Sequence, residues 1–262
     1  MLTHPLLPKL KELHLSGMVD TLDERAQMAQ LQNSTPVDFL ALLLDDEIDR
    51  RKQRKCGRLE RMAGFENVKL LSQFDFSAVP GLDRTLVLDL ATCQFIHKKQ
   101  NWLLCGPTGV GKSHLATAIG YEAIKRDMTV LSVSAARMLA ELAAARADGS
   151  HDRRLHKILS CSLLIIDDFG LKPMTEQGAD DLYEIIHSRY ERSSIIMTSN
   201  RAPVEWPDLF GNSLLASAAL DRLTHHARIT IVTADSYRQK NRRKTESAAG
   251  SEQIGENAAK DE

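Results

Sequence analysis

The chain has 262 residues, 43% hydrophobic and 26% charged, with a formal net charge of -1. That length accommodates one α/β domain and a smaller unit, and the composition is that of an ordinary soluble protein. No stretch approaches 18 consecutive apolar residues and the N-terminus lacks a signal-peptide pattern, so a membrane span and a secretory route are not expected.

The charge is uneven. Residues Thr245–Glu262 carry five acids and one base, so the preceding chain carries +3, too mild a bias to imply nucleic acid by itself. The cysteines are Cys56, Cys93, Cys105 and Cys161, and none forms a C-x-x-C pair. Buried thiols in a reducing, cytoplasmic setting are the expectation.

Residues 1–70 read as a helical domain. Pro5 and Pro8 keep the start irregular. Leu10, Leu13 and Met18 can begin a helical face that Gly17 weakens. A longer helix runs from about Pro36 to Met62, with an interruption expected at Gly57. It holds a basic run in which Arg50, Arg51, Lys52, Arg54, Lys55 and Arg58 are candidate contacts to DNA phosphates. The competing account is a solvated face partly paired with Asp45–Asp49.

Residues 71–244 read as the main, α/β domain. Phe74 and Phe76 either approach an adenine or pack in the core, and Leu86–Phe95 reads as a helix. Trp102–Cys105 is then a short strand, followed by Gly106-Pro107-Thr108-Gly109-Val110-Gly111-Lys112-Ser113 and a helix opening at His114. Strand, G-x-x-x-x-G-K-[ST] and helix together are the context of a phosphate-binding loop. Backbone N–H groups of the loop converge on phosphates, and the helix N-terminus adds partial positive charge. Gly106 to Ser113, with His114, form the expected nucleotide contact set. Lys112 is expected on the β- and γ-phosphates and Ser113 on Mg²⁺.

Strand and helix then alternate: Thr129–Val133 strand, Ala135–Ala145 helix, a break at Gly149-Ser150, Leu163–Asp168 strand, Thr175–Ser188 helix, Ser194–Asn200 strand. Asp167 is expected to hold Mg²⁺ directly or through water, and Asp168 to orient or activate the attacking water. Asn200 suits the γ-phosphate or that water, or else a strand-end turn. Lys172, in a loop after Gly170, is a candidate DNA contact or a plain turn residue. Pro203, Pro207 and Gly211 mark a loop. Leu214–Thr224 reads as a helix and Arg228–Thr233 as the last strand. Arg189, Arg192, Arg201 and Arg222 are candidates for an arginine acting in a neighbouring subunit's site. His225-His226 has no Cys or His partner at metal spacing, which argues against zinc. Arg238 either reaches the γ-phosphate from the same subunit or joins a basic cluster on DNA. Residues 245–262 read as a disordered tail. Apolar strands alternating with helices imply an α/β fold with a mostly parallel sheet covered on both faces, and ligands at the strands' C-terminal ends.

Gly106–Ser113, Leu163–Gly170, Ile195–Asn200 and Leu220–Leu223 together resemble the AAA+ ATPases of the helicase-loader type, and more closely the IstB-like ATP-binding helpers of insertion-sequence transposons. The likeness covers nearly the whole chain. It implies a P-loop NTPase (AAA+) three-layer sandwich with a small N-terminal helical domain and no full C-terminal helical lid. It further implies ATP and Mg²⁺ as cofactors, ATP bound at subunit interfaces, a homo-oligomer on duplex DNA, and a cognate transposase as partner. Under it Lys112 and Ser113 are Walker A residues, and Asp167 and Asp168 Walker B residues. Asn200 is the first sensor, Arg222 the trans arginine, and Arg238 a looser match to the second sensor. The usual second carboxylate is Glu, so Asp168 implies slow basal hydrolysis. A helicase loader on single-stranded DNA, a nucleotide kinase and a non-catalytic nucleotide-gated module are the alternatives.

Overall fold

A computed structural model of the chain describes residues 5–233. They form two compact units, one ending at Leu59 and one beginning at Glu60. The Arg238 and tail expectations, and that of a missing lid, concern residues outside those described.

The first unit contains α1 (Leu7–Glu12), α2 (Ser16–Leu31) and most of α3 (Pro36–Ala63). α1 and α2 are separate helices because His14 adopts a left-handed conformation, φ 55°. Leu13 is therefore exposed, while Met18, Leu22 and Leu43 form a small core with Leu7, Leu10, Leu15 and Phe39 packed against it. Gly17 is buried on the side of α2 that meets α3, and its N–H donates to Glu47 Oε2 at 2.6 Å. Arg25 makes a two-pronged bond to Asp46, at 2.8 and 2.7 Å. Contrary to expectation, α3 is not interrupted at Gly57. A single glycine costs a helix only about 1 kcal/mol, which the surrounding turns of a 28-residue helix can absorb.

The second unit continues with α4 (Arg84–Ala91) and α5 (Gln94–His97), then β1 (Asn101–Cys105), α6 (Lys112–Lys125), β2 (Val130–Ser134), α7 (Ala135–Ala147), α8 (His151–Leu159), β3 (Leu163–Phe169), α9 (Glu176–Arg189), β4 (Ser194–Ser199), α10 (Ser213–His225) and β5 (Ala227–Ile231). The single helix expected over Leu86–Phe95 is broken at Cys93, whose φ is 62°. α8 was not expected, because its six polar or charged residues hide a single apolar pair, Leu155 and Ile158, on its buried side. Side-chain caps explain where several helices start. Asp83 accepts from Thr85 N, Thr175 from Gly178 N, and Asn212 from Leu214 N and Leu215 N, each such cap contributing about 1 kcal/mol.

All four strand pairings are parallel, in the order β2-β3-β4-β1-β5. Central strands of such a sheet are buried on both faces, and Leu163–Ile166 and the whole of β4 are buried accordingly. Side chains of β1, β3 and β4 alternate between two layers. Leu103, Leu164, Ile166, Ile195 and Met197 pack with α7 to α10 in the main core. On the other face Ile165 approaches Gly120 of α6. Helices therefore cover both faces, as the α/β expectation required, and the polar strand ends gather at one edge.

Candidate nucleotide site

The glycine loop leaves β1 at the sheet's C-terminal edge. Its base is pinned on both sides: Gly106 N donates to Ser199 O of β4 at 3.1 Å, and Val232 N donates to Cys105 O at 2.7 Å. Gly106 has φ 145°, and a Cβ there would stand 2.2 Å from Val232 O, so no other residue fits this corner. Burial beneath the loop pushes the Cys105 thiol up to about 11, which keeps it protonated and inert.

Lys112, the first residue of α6, is only 6% exposed. Its Nζ donates to Gly106 O and Pro107 O, both at 2.8 Å, and to Asn200 Oδ1 at 2.7 Å. The ammonium is thus held inside the curve of the loop, bridging it to the residue that follows β4. The next side chain, Ser113, donates to Asp167 Oδ1 at 2.9 Å. A hydroxyl and a carboxylate oxygen at that separation are the hard donor set that Mg²⁺ takes, and the glycine corner with a buried lysine suits a polyphosphate, so the residues fit both groups.

Asp167 and Asp168 owe their placement to a bulge in the sheet. Ile166 pairs with Met197 and Phe169 with Ser199, so the two aspartates stand opposite Thr198 alone. Bulges of this kind re-aim side chains beside active sites. Asp168 takes a left-handed conformation, φ 56°, its N–H donates to Thr198 Oγ1 at 3.0 Å, and its side chain is exposed on the cleft. The same Thr198 hydroxyl donates to Asp167 Oδ1 in a very short bond. Thr198 is fully buried and was missed in the sequence, where it is one residue of a strand's polar end beside Ser199 and Asn200.

A cleft of ≈ 640 Å³ joins these groups, lined by Thr108 to His114, Asp167, Asp168 and Asn200, and closed by the chain from Gly64 to Val79. Phe74 lines it, with its ring against His114 at 5.4 Å and against Phe76 at 4.9 Å. His114 Nε2 lies 3.1 Å from Leu70 O.

The other expected residues lie apart from this cleft. Arg222 is on α10, where Nη1 donates to Ala218 O at 2.7 Å and the guanidinium lies over the Tyr183 ring at 5.7 Å. Arg189 cannot serve a neighbouring subunit. It is 1% exposed and holds the carbonyls of Ile158, Cys161 and Ser194 at 2.9, 3.1 and 2.8 Å, and burial lowers its pKa. Arg201 donates through Nε to Gly170 O at 2.8 Å. Arg192 and Lys172 are exposed.

On α3, Arg50 pairs with Asp20 at 2.6 Å, Arg51 with Glu47 at 2.7 Å and Lys52 with Asp49 at 3.4 Å. Arg54 and Arg58, one turn apart, are exposed and make no ion pair among the described residues. Lys55 is exposed as well. No helix among the described residues is long and apolar enough to cross a membrane.

The sheet order, the glycine loop and the carboxylates near the end of β3 define a P-loop NTPase with an AAA+ helicase-loader-like fold. The chain belongs to the family of IstB-like ATP binding proteins, whose model matches residues 8–245. It is 38% identical over 239 residues to a Pseudomonas aeruginosa protein named as an ATP-binding protein of insertion sequence IS21, covering 91% of this chain and 89% of that one. It is 39% identical over 236 residues to the Mycobacterium tuberculosis protein Rv3427c, named as an ATP-binding protein in an insertion sequence, covering 89% and 93%. Among solved structures it is similar to DnaI, with a TM-score of 0.54 and 22% identity over 66% of this chain and 94% of that one. It is also similar to AMPPCP-bound DnaA from Aquifex aeolicus, with a TM-score of 0.52 and 24% identity over 62% and 49%. At those identities the two structures speak to fold alone.

Proposed function

We propose that this ATP-binding protein hydrolyses ATP, assembles as an oligomer on duplex DNA and helps a transposase capture its target. The observation that carries the ATPase reading is the bridge Ser113–Asp167–Thr198–Asp168, which presents one carboxylate beside the hydroxyl and a second on the open cleft. Bound Mg²⁺ would neutralise charge on the β- and γ-phosphates. Ser113 and Asp167 would hold it. Lys112 would exchange its loop carbonyls for phosphate oxygens, and Asn200 would orient the terminal phosphate or the water. Asp168 would accept the proton of the attacking water or fix its direction.

Arg222 completes a neighbouring subunit's site in this reading, which agrees with its position on α10 outside its own cleft. Arg54 and Arg58 are the best-placed phosphate contacts, because Arg50, Arg51 and Lys52 are already engaged by acids of their own unit. The named relatives, proteins of insertion sequences, support transposition over helicase loading. Phosphate release from ATP, measured with and without duplex DNA and with Asp168→Asn as the control, tests the reading. Release by the wild type that the variant loses is expected; equal release by both, or none from either with DNA present, would contradict it.

A further inference from the structure

We propose that Glu191, His225 and His226 form a binding site for a divalent transition metal of the zinc class. The site lies at the end of β1 opposite the glycine loop, where Asn101 N donates to His226 O at 3.2 Å. It does not depend on the nucleotide reading.

The three residues come from two helix ends. α9 stops at Arg189, and Tyr190 and Glu191 follow it, with Glu191 in the left-handed region at φ 55°. His225 is the last residue of α10 and His226 its C-cap. Packing of α9 on α10 brings the ends together, so that one ligand atom from each of the three side chains lies within 4.8 Å of the others. A tetrahedral zinc with bonds of about 2.0–2.1 Å needs its donors roughly 3.3 Å apart. All three side chains are exposed, so small rotations close that difference.

Two further contacts point to a ligand rather than to chance crowding. The Tyr190 hydroxyl lies 2.7 Å from His225 Nδ1. The tautomer that donates Nδ1–H to that oxygen leaves Nε2 as the free lone pair, the way metal-bound histidines are oriented by a neighbouring group. The two imidazoles are also only 4.0 Å apart between centroids, close enough for one ion to take a nitrogen from each ring. A direct contact of His226 Nε2 with Glu191 Oε1, at 3.5 Å, accounts for that one pair but not for His225. Two imidazoles and one carboxylate select zinc-class ions over Mg²⁺ and Ca²⁺, which take oxygen donors, and leave a position for water. A bound ion would tie the end of α10 to the turn after α9. Arg222 lies on α10 one turn before His225, so the tie falls beside the arginine's mooring on Tyr183.

The test is calorimetric titration of the untagged full-length chain with Zn²⁺, repeated on His225→Ala/His226→Ala and on Glu191→Gln. One Zn²⁺ per chain is expected to bind the wild type with a dissociation constant that rises at least tenfold in Glu191→Gln. In the double variant that site is lost. Excess Mg²⁺ should not compete, and Co²⁺ should give the visible absorption of a tetrahedral site in the wild type only. Zn²⁺ should also raise the thermal midpoint of the wild type and not that of the double variant. No Zn²⁺ binding by the wild type, or the same stoichiometry and affinity in both variants, would overturn the proposal. Should the double variant fail to fold, Glu191→Gln decides alone, since an exposed isosteric change leaves the helices intact.

Discussion

Thr198 accepts the backbone N–H of Asp168 at 3.0 Å, and through this bond a buried strand residue sets the aim of an exposed carboxylate. Its hydroxyl also donates to Asp167. Thr198→Val keeps the shape of the side chain and removes both bonds. Nucleotide affinity should change little, whereas kcat should fall roughly tenfold, the effect of about 1.4 kcal/mol withdrawn from the transition state. Thr198→Ser should keep most of the rate. ATP binding and single-turnover hydrolysis measured side by side check this, and an equal loss in Val and Ser variants would count against it.

The Asp at position 168 has a backbone reason as well as a chemical consequence. At φ 56° Asp is tolerated better than most residues, because its short side chain suits the left-handed region. In the proposed function, the shorter arm would hold the attacking water farther from the phosphate than Glu would. Asp168→Glu is expected to raise basal turnover while lowering the thermal midpoint slightly. Turnover at saturating ATP decides the point, and an unchanged or lower rate would contradict the expectation that Asp at this position slows hydrolysis.

Arg222 provides a complementation experiment. Arg222→Ala should retain ATP binding in its own cleft and lose turnover. Mixed with Lys112→Ala, which lacks the phosphate-binding ammonium but keeps the arginine, it should regain a measurable fraction of the wild-type rate. Activity in the mixture above the sum of the two variants is the expected result. No gain on mixing would mean that Arg222 acts in its own subunit or not at all.

In the first unit, a Cβ on Gly17 would lie 2.7 Å from both Asp46 O and Glu47 Cα, so Gly17→Ala must push α2 away from α3. A destabilisation of about 1–3 kcal/mol is expected, read from urea unfolding. The same contact is sensitive to acid. Burial raises the Glu47 pKa, but the Arg51 hydrogen bond and the Gly17 N–H outweigh it and leave it lowered, and the Arg25 bond lowers Asp46. A lowered native pKa contributes stability above the ordinary carboxylate pKa of about 4, and that contribution is lost as pH falls below it. Glu47→Gln should flatten this acid-side loss, which far-UV circular dichroism against pH would follow.

The phosphate loop was legible because its chemistry is local: eight consecutive residues dictate the turn, and the apolar run before it dictates the strand. Asp167, Asp168 and Asn200 were legible as polar ends of apolar strands. Thr198 was not, since its role arises from a two-against-one bulge that depends on strand register. Glu191 with His225 and His226 was hidden for a related reason: helix packing, not spacing, joins them. The basic run on α3 was visible as charge. Which of its members are neutralised became clear only with the partners Asp20, Glu47 and Asp49 in place.

Sedimentation of the wild-type chain and Lys112→Ala on duplex and single-stranded DNA of equal length, with and without ATP, tests the proposed function most directly. Large complexes that require ATP and Lys112 and that form preferentially on duplex DNA are the predicted result. A preference for single strands would favour helicase loading, and no DNA binding in either nucleotide state would contradict the account.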